Sequence, residues 1–261
     1  ILLENPKLDE VPFFHNLGHN MHGIMAVFAA TGAFLSCFHQ GSLGGVSGVL
    51  FGRPFVYREG IFVWPWTFFL YTWSAAACGP CFTMMACKIT EAVTRKRLVK
   101  DSVYDLLAKI SGWMIGTYII AKIADTVYWA YTTAPSMGFT LMDFYTKDLL
   151  LHGVWILFLE IVVCGVVPAL ILITKKGRST KPLFITAIVL AVLGVCINRW
   201  VMIMAPMAMP VMPFESWVSY FPSWQEVATT ILPFAGGIMV VALSYRYLPV
   251  FPQERELNPM D

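Results

Sequence analysis

A chain of 261 residues that is 57% hydrophobic, 15% aromatic and only 13% charged, with a mean hydropathy of +0.66, is not an ordinary soluble domain. Its formal net charge of +2 is too small, and its basic residues too scattered among connections, for a nucleic-acid surface. Composition therefore predicts an all-α, polytopic integral membrane protein, because helices satisfy their own backbone groups where no water is at hand. The opening ILLENPKLDEVPFF begins at Ile1 and has neither a basic leader nor a small-residue cleavage site, so the expectation is that the true N-terminus is missing.

Taken in order, a pre-membrane segment (1–16) leads into six apolar stretches of about the 20 residues that a spanning helix needs. They cover roughly 17–38, 62–86, 106–131, 149–173, 183–204 and 227–248, and a tail (249–261) follows. The first ends in LSCFHQGSLGG, which delivers His39 and Gln40 to the membrane boundary, and its glycines and serines are expected to break the helix there. The stretch after the fifth span, MIMAPMAMPVMPFESWVSYFPSW, is interrupted by prolines and reads as an adaptable apolar wall.

The connection between spans two and three carries Lys88, Arg95, Lys96, Arg97 and Lys100, and that between four and five carries Lys175, Lys176, Arg178 and Lys181. The opposite connections hold Arg53, Arg58 and Lys147. The basic side is then cytoplasmic, as is the tail. With that topology His39, Gln40, Lys122, Asp125, Asn198, Arg199, His152 and Glu226 all approach the outer face, and Glu160 lies deeper, about 12 Å below His152 along its helix. Ionisable groups are costly in hydrocarbon, so five helices bringing them to one level predict a site. A titratable imidazole, carboxylates and fixed cations in an apolar surround suit a quinone, whose carbonyls need donors and proton partners while its tail needs a greasy slot.

Blander readings exist for each group. Lys122 and Asp125, at i and i+3, could neutralise each other, and Glu160 or Glu226 could pair structurally with Arg199. His152 could be an interfacial residue. Cys78-Gly79-Pro80-Cys81 copies a redox motif but lies in an apolar run where a thiolate is disfavoured, and Cys37, Cys87, Cys164 and Cys196 lack metal-like spacing. His15, His19 and His22 share a helix face without a second histidine at their depth, whereas His39 with His152 keeps a haem b anchor open as an alternative. A proton translocator without redox chemistry is a further one. Trp64, Trp66, Trp129, Tyr131, Trp155, Trp217, Tyr220 and Trp224 read as an interfacial belt or a docking surface.

The residues His22, LSxxHQxSLGG (35–45), Lys122-Ile-Ala-Asp125, Glu160 with Pro168, Asn198-Arg199, and Tyr220-Phe-Pro-Ser-x-x-Glu226 followed by Tyr245-Arg246 carry a resemblance. From about residue 15 to 250 the chain resembles the NrfD/PsrC-like membrane subunits of polysulfide reductase, in the longer branch typified by the hydrogenase-2 membrane subunit. The resemblance implies a menaquinone- or quinol-interacting subunit of a respiratory oxidoreductase complex in the bacterial or archaeal inner membrane, without haem or metal of its own. It implies a periplasmic ferredoxin-like iron–sulfur partner and a further catalytic or multihaem cytochrome subunit. His39 and Asp125 would be the quinone and proton residues, with Gln40, Lys122, His152, Glu160, Arg199 and Glu226 lining the site or a proton path. That branch has about eight to ten spans at roughly 20 residues each. Six are visible, so either three or four N-terminal helices are absent from this sequence or the chain belongs to another branch.

Overall fold

The computed structural model of the chain describes residues 10–50, 56–61, 64–140, 142–143, 154–208 and 221–247, with single positions at 210, 212, 214–216, 218, 251 and 257. Helices dominate: α1 (Pro12–Gly48), α2 (Trp66–Thr94), α3 (Asp101–Tyr128), α4 (Ala134–Ser136), α5 (Val154–Phe158), α6 (Val167–Ile173), α7 (Lys175–Ser179), α8 (Lys181–Ala208) and α9 (Trp224–Tyr247). Two π-helical segments, Trp129–Thr133 and Leu159–Val166, join α3 to α4 and α5 to α6. A two-residue antiparallel pair, β1 (Gly60–Ile61) with β2 (Trp64–Pro65), precedes α2. Five described stretches are long and apolar enough to cross a bilayer: Gly23–Gly48, Asp101–Ser136, Trp155–Ile173, Lys181–Met204 and Trp224–Arg246. The 29-residue α2 is a further long helix, less apolar in its windows. The chain is an all-α, multi-pass membrane protein.

It divides into two compact units, one of Ile1–Phe38 with Phe221–Asp261 and one of His39–Tyr220. In the first, α1 and α9 expose large apolar side chains, Phe28, Phe34, Leu232 and Ile238 among them. Ser223 and Glu226 form a capping box at the start of α9: the Ser223 N–H and Oγ each donate to Glu226 Oε2 at 2.7 Å, and the Glu226 N–H donates back to Ser223 Oγ at 3.4 Å.

The second unit contains the packed core. Leu70, Ala77, Cys81 and Met84 of α2 meet Ala108, Ile115 and Ile119 of α3, Leu172 of α6 and Ala187, Ile188 and Ala191 of α8. Small residues allow these helices to approach closely, as packing between membrane helices requires. A Cβ on Gly112 would sit 2.9 Å from the Ile173 nitrogen and the Leu172 Cβ, and one on Gly194 would sit 2.8 Å from the Cys164 carbonyl oxygen.

The same effect explains where α1 departs from expectation. Glycines 41 to 48 were expected to end the helix, yet α1 runs to Gly48. A Cβ at Gly44 would run into the Thr67 carbonyl oxygen, and Thr67 Oγ1 donates to the Gly44 carbonyl at 2.8 Å. Here glycine serves close approach to α2 while the helix continues. Likewise α8 passes Pro206 to end at Ala208. The expected start of span four, 149–153, lies outside the described residues.

The α2–α3 connection is closed by one carboxylate. Arg95 ends α2 in the left-handed conformation (φ 57°), and Glu91 Oε1 then accepts the Leu98 and Val99 N–H groups at 3.1 and 3.3 Å while Oε2 accepts Lys88 Nζ at 2.7 Å. Burial alone would raise the Glu91 carboxyl, but these three donors outweigh it and hold it below its ordinary value of 4.5. A depressed carboxyl contributes stability that is present above its unfolded value and lost as pH falls through the folded one. Glu91→Gln is therefore expected to lower the apparent Tm at pH 7, and the gap from wild type should close as the pH is taken below 4.5. At the α3–α6 crossing, Gly112→Ala adds a methyl where there is no room. Overpacking of about 1–3 kcal/mol exceeds the helix-propensity gain of about 1 kcal/mol, so a lower Tm is expected. Gly116→Ala, whose Cβ meets only Ile173 Cδ1 at 3.7 Å, carries the propensity gain without the clash and serves as the control, expected to hold or raise the Tm.

Candidate functional site: a buried ionic cluster in the helix bundle

In the second unit the ends of α2, α3 and α8 remote from the Lys- and Arg-rich connections, with the π segment after α5, line a cavity of about 40 Å³. Asp125 lies twenty residues beyond Asp105 on α3, roughly 30 Å at 1.5 Å per residue, the thickness of a hydrocarbon core. Asp105 accepts Arg178 Nε at 2.7 Å at the helix end rich in Lys and Arg, so cavity and basic connections are a bilayer apart.

Five ionic groups and an asparagine build the site. Glu160, only 5% exposed, accepts on one oxygen, Oε1, from both Lys122 Nζ and Asn198 Nδ2, the latter at 2.7 Å. Asn198 Oδ1 in turn accepts Arg199 NH1 at 3.0 Å. The other arm of Arg199, NH2, donates to the Tyr71 carbonyl at 2.9 Å and to Ser74 Oγ at 3.0 Å, with the guanidinium 3.6 Å over the Tyr71 ring. The chain Lys122–Glu160–Asn198–Arg199–Ser74 thus ties α3, the second π segment, α8 and α2 together. Beside it, Arg58 Nε donates to Asp125 Oδ2 at 3.1 Å, both groups being buried, and Arg58 lies 5.1 Å over Trp129. Buried charges persist when paired and hydrogen-bonded in this way.

Local sequence explains the placement. Pro168 has no N–H, so an α-helical ladder does not run unbroken through it, and the turns before it take the wider π register that includes Glu160. The other π segment begins at Trp129, directly after α3. Both irregular turns therefore fall at the cavity, which Glu160 and Trp129 line together with Tyr71, Tyr118, Ile156, Val201 and Met202. A second cavity of about 30 Å³ shares Tyr118, Glu160 and Asn198 with the first and continues along Ser74, Cys78 and Cys164. At 10–15 Å³ per water, each holds a few waters.

Of the residues expected at a site, Lys122, Asp125, Glu160 and Arg199 come together, although not in the pairs their spacing suggested. Lys122 and Asp125 part company, Lys122 reaching Glu160 and Asp125 taking Arg58. Glu160 and Arg199 are joined through Asn198. His39 is exposed and Gln40 half-buried, and neither lines the two cavities. Glu226 is exposed in the α9 capping box, in the other unit. His152 lies outside the described residues. Arg58 was read only as a topology charge, and Trp129 as part of an interfacial belt. Trp129 is 1% exposed, a core residue of the site. The signal available for Arg58 was an arginine beside an apolar run with a carboxylate on another helix at the same depth. The six cysteines form no disulfide, and Cys81 Sγ lies 3.0 Å from Ser111 Oγ. Among the described residues no group of three His, Cys, Asp or Glu side chains could hold a metal ion.

Removing one partner of a buried pair strands the other charge, at a cost of about 3–5 kcal/mol. Lys122→Met is expected to lower the Tm of the purified protein steeply, and Lys122→Met with Glu160→Gln to recover most of the loss, since Asn198 keeps an acceptor. Tryptophan fluorescence during a thermal ramp reads both.

No family model and no solved structure matches the chain. Among curated proteins it is similar to the menaquinone reductase integral membrane subunit of Nitratidesulfovibrio vulgaris, 49% identical over 258 residues. That alignment takes in 99% of this chain and 61% of the relative, so the chain spans about three-fifths of the length of the protein it matches.

Proposed function

We propose that the chain is a quinone-interacting membrane subunit of a multi-subunit respiratory oxidoreductase in the bacterial inner membrane. In this reading it exchanges electrons between menaquinone near the periplasmic face and a ferredoxin-like iron–sulfur partner, with a further catalytic or multihaem subunit beyond. The observation that carries it is the buried cluster of Arg58–Asp125 and Lys122–Glu160–Asn198–Arg199 beside an aromatic and apolar wall, at the end of the bundle remote from the basic connections. Similarity to a menaquinone reductase subunit supports it. The positive-inside rule supports the periplasmic placement.

Reducing a quinone to its quinol takes two electrons and two protons. Electrons come from the iron–sulfur partner; the protein's side chains handle the protons. Arg58, Lys122 and the Tyr71 hydroxyl are donors able to hold carbonyl oxygens as negative charge builds on them, and Asp125 and Glu160 are acceptors able to relay protons. Trp129, Ile156, Leu157, Val201 and Met202 supply the flat, apolar surface that a ring and isoprenoid tail require. His39 and Gln40, together with His152 and Glu226, are assigned to ligand access or proton exchange outside this cavity.

In the assembled complex, Asp125→Asn is expected to lower quinone turnover by at least about a hundredfold while the partner subunits still co-purify. His39→Ala is expected to lower it as well. Turnover untouched by Asp125→Asn sinks the site, and turnover untouched by His39→Ala removes His39 from it.

A further inference from the structure

A cavity with room for a few waters does not admit a bicyclic ring, so some part of its wall must move. Most of that wall is helix packed on helix: α2 on α3, α3 on α6, and α8 on α2 and the second π segment. Arg58 is different. It stands on a non-helical strap just before β1, with Val56 fully buried and Arg58 8% exposed. Among the contacts of the strap are single polar ones: the Arg58 N–H to the Gly48 carbonyl at 3.1 Å, Arg58 Nε to Asp125, and the Tyr128 hydroxyl to Glu59 Oε2 at 2.6 Å. Two successive strap residues, Arg58 and Glu59, thus fasten to Asp125 and Tyr128, one turn apart on α3.

Resting on the quinone reading above, we propose that Arg58 is the residue that grips a carbonyl oxygen of the entering quinone. Its release from Asp125 as the strap lifts opens the cavity and leaves that carboxylate free to take part in proton exchange. The chemistry favours the exchange. A guanidinium offers donors in a planar fork, here to Asp125 Oδ2 at 3.1 Å and to the Tyr57 carbonyl at 3.0 Å, so it can exchange one oxygen acceptor for another, and it is not deprotonated in proteins. Trp129, already under the guanidinium, provides a flat face beside the incoming ring.

The test is binding, measured on the assembled complex with 2-heptyl-4-hydroxyquinoline N-oxide, a bicyclic quinol mimic whose fluorescence quenches when bound. Arg58→Gln is expected to weaken the probe by at least about tenfold, the cost of losing a charged hydrogen bond, and Arg58→Lys by less, because the charge stays while the fork is lost. The deciding measurement repeats Arg58→Gln in an Asp125→Asn background, where no stranded carboxylate remains. A further loss of about tenfold there means that Arg58 touches the ligand. Equal affinity of Asp125→Asn and the double variant means that Arg58 acts only by neutralising Asp125, and overturns the proposal. Wild-type complex that binds no probe overturns the quinone reading itself, and the Arg58 assignment with it.

Discussion

A carboxylate buried in a membrane protein holds its charge only while donors surround it, and the bundle is arranged to keep Glu160 in that condition. Lys122 arrives from α3 and Asn198 from α8, both on one oxygen, and Arg199 fixes the asparagine amide by binding its carbonyl. Because Arg199 also reaches the Tyr71 carbonyl and Ser74, α2 is drawn into the same network. Four helical segments therefore meet at one acid. The close crossings at Gly112 and Gly194 let their backbones come near enough for side chains of this length to touch. The network and the packing depend on each other: wider crossings would strand the acid, and an uncompensated acid would push the helices apart.

The described ionic groups of the site are three cations, Arg58, Lys122 and Arg199, and two carboxylates, Asp125 and Glu160. In a region of low dielectric such fixed charges act strongly. An electron acceptor that accumulates negative charge on oxygen before it takes up protons suits a site with three such cations. The two π segments bring Glu160 and Trp129 to this place, in keeping with the tendency of such irregular turns to occur at functional sites.

Much of this was legible in the sequence for a simple reason. Hydrocarbon tolerates few charges, so Lys122, Asp125, Glu160 and Arg199 stood out against apolar runs, and alternating topology placed them at one level. What periodicity could not supply was partner choice. Neighbours at i and i+3 on one helix suggested that Lys122 and Asp125 would neutralise each other; instead each turns to a different element, because Glu160 is carried by a π turn whose register no 3.6-residue repeat anticipates. Arg58 was missed because it lies in a connection, where a basic residue is ordinarily solvated. The glycines after His39 misled in the opposite sense: they read as a break and proved to be a packing surface against Thr67. Glu226, read as a member of the site, has a local role as well, closing the first turn of α9 with Ser223.

The parting of Lys122 and Asp125 bears on how the protein is made. A nascent α3 carrying one positive and one negative side chain within a single turn enters the bilayer without net charge in its C-terminal half. Arg58 is translated before Asp125, while Glu160 and Asn198 emerge only after Lys122, so the definitive partners become available in sequence. The helix that will later hold two separate buried bridges can thus be inserted as a self-neutral segment.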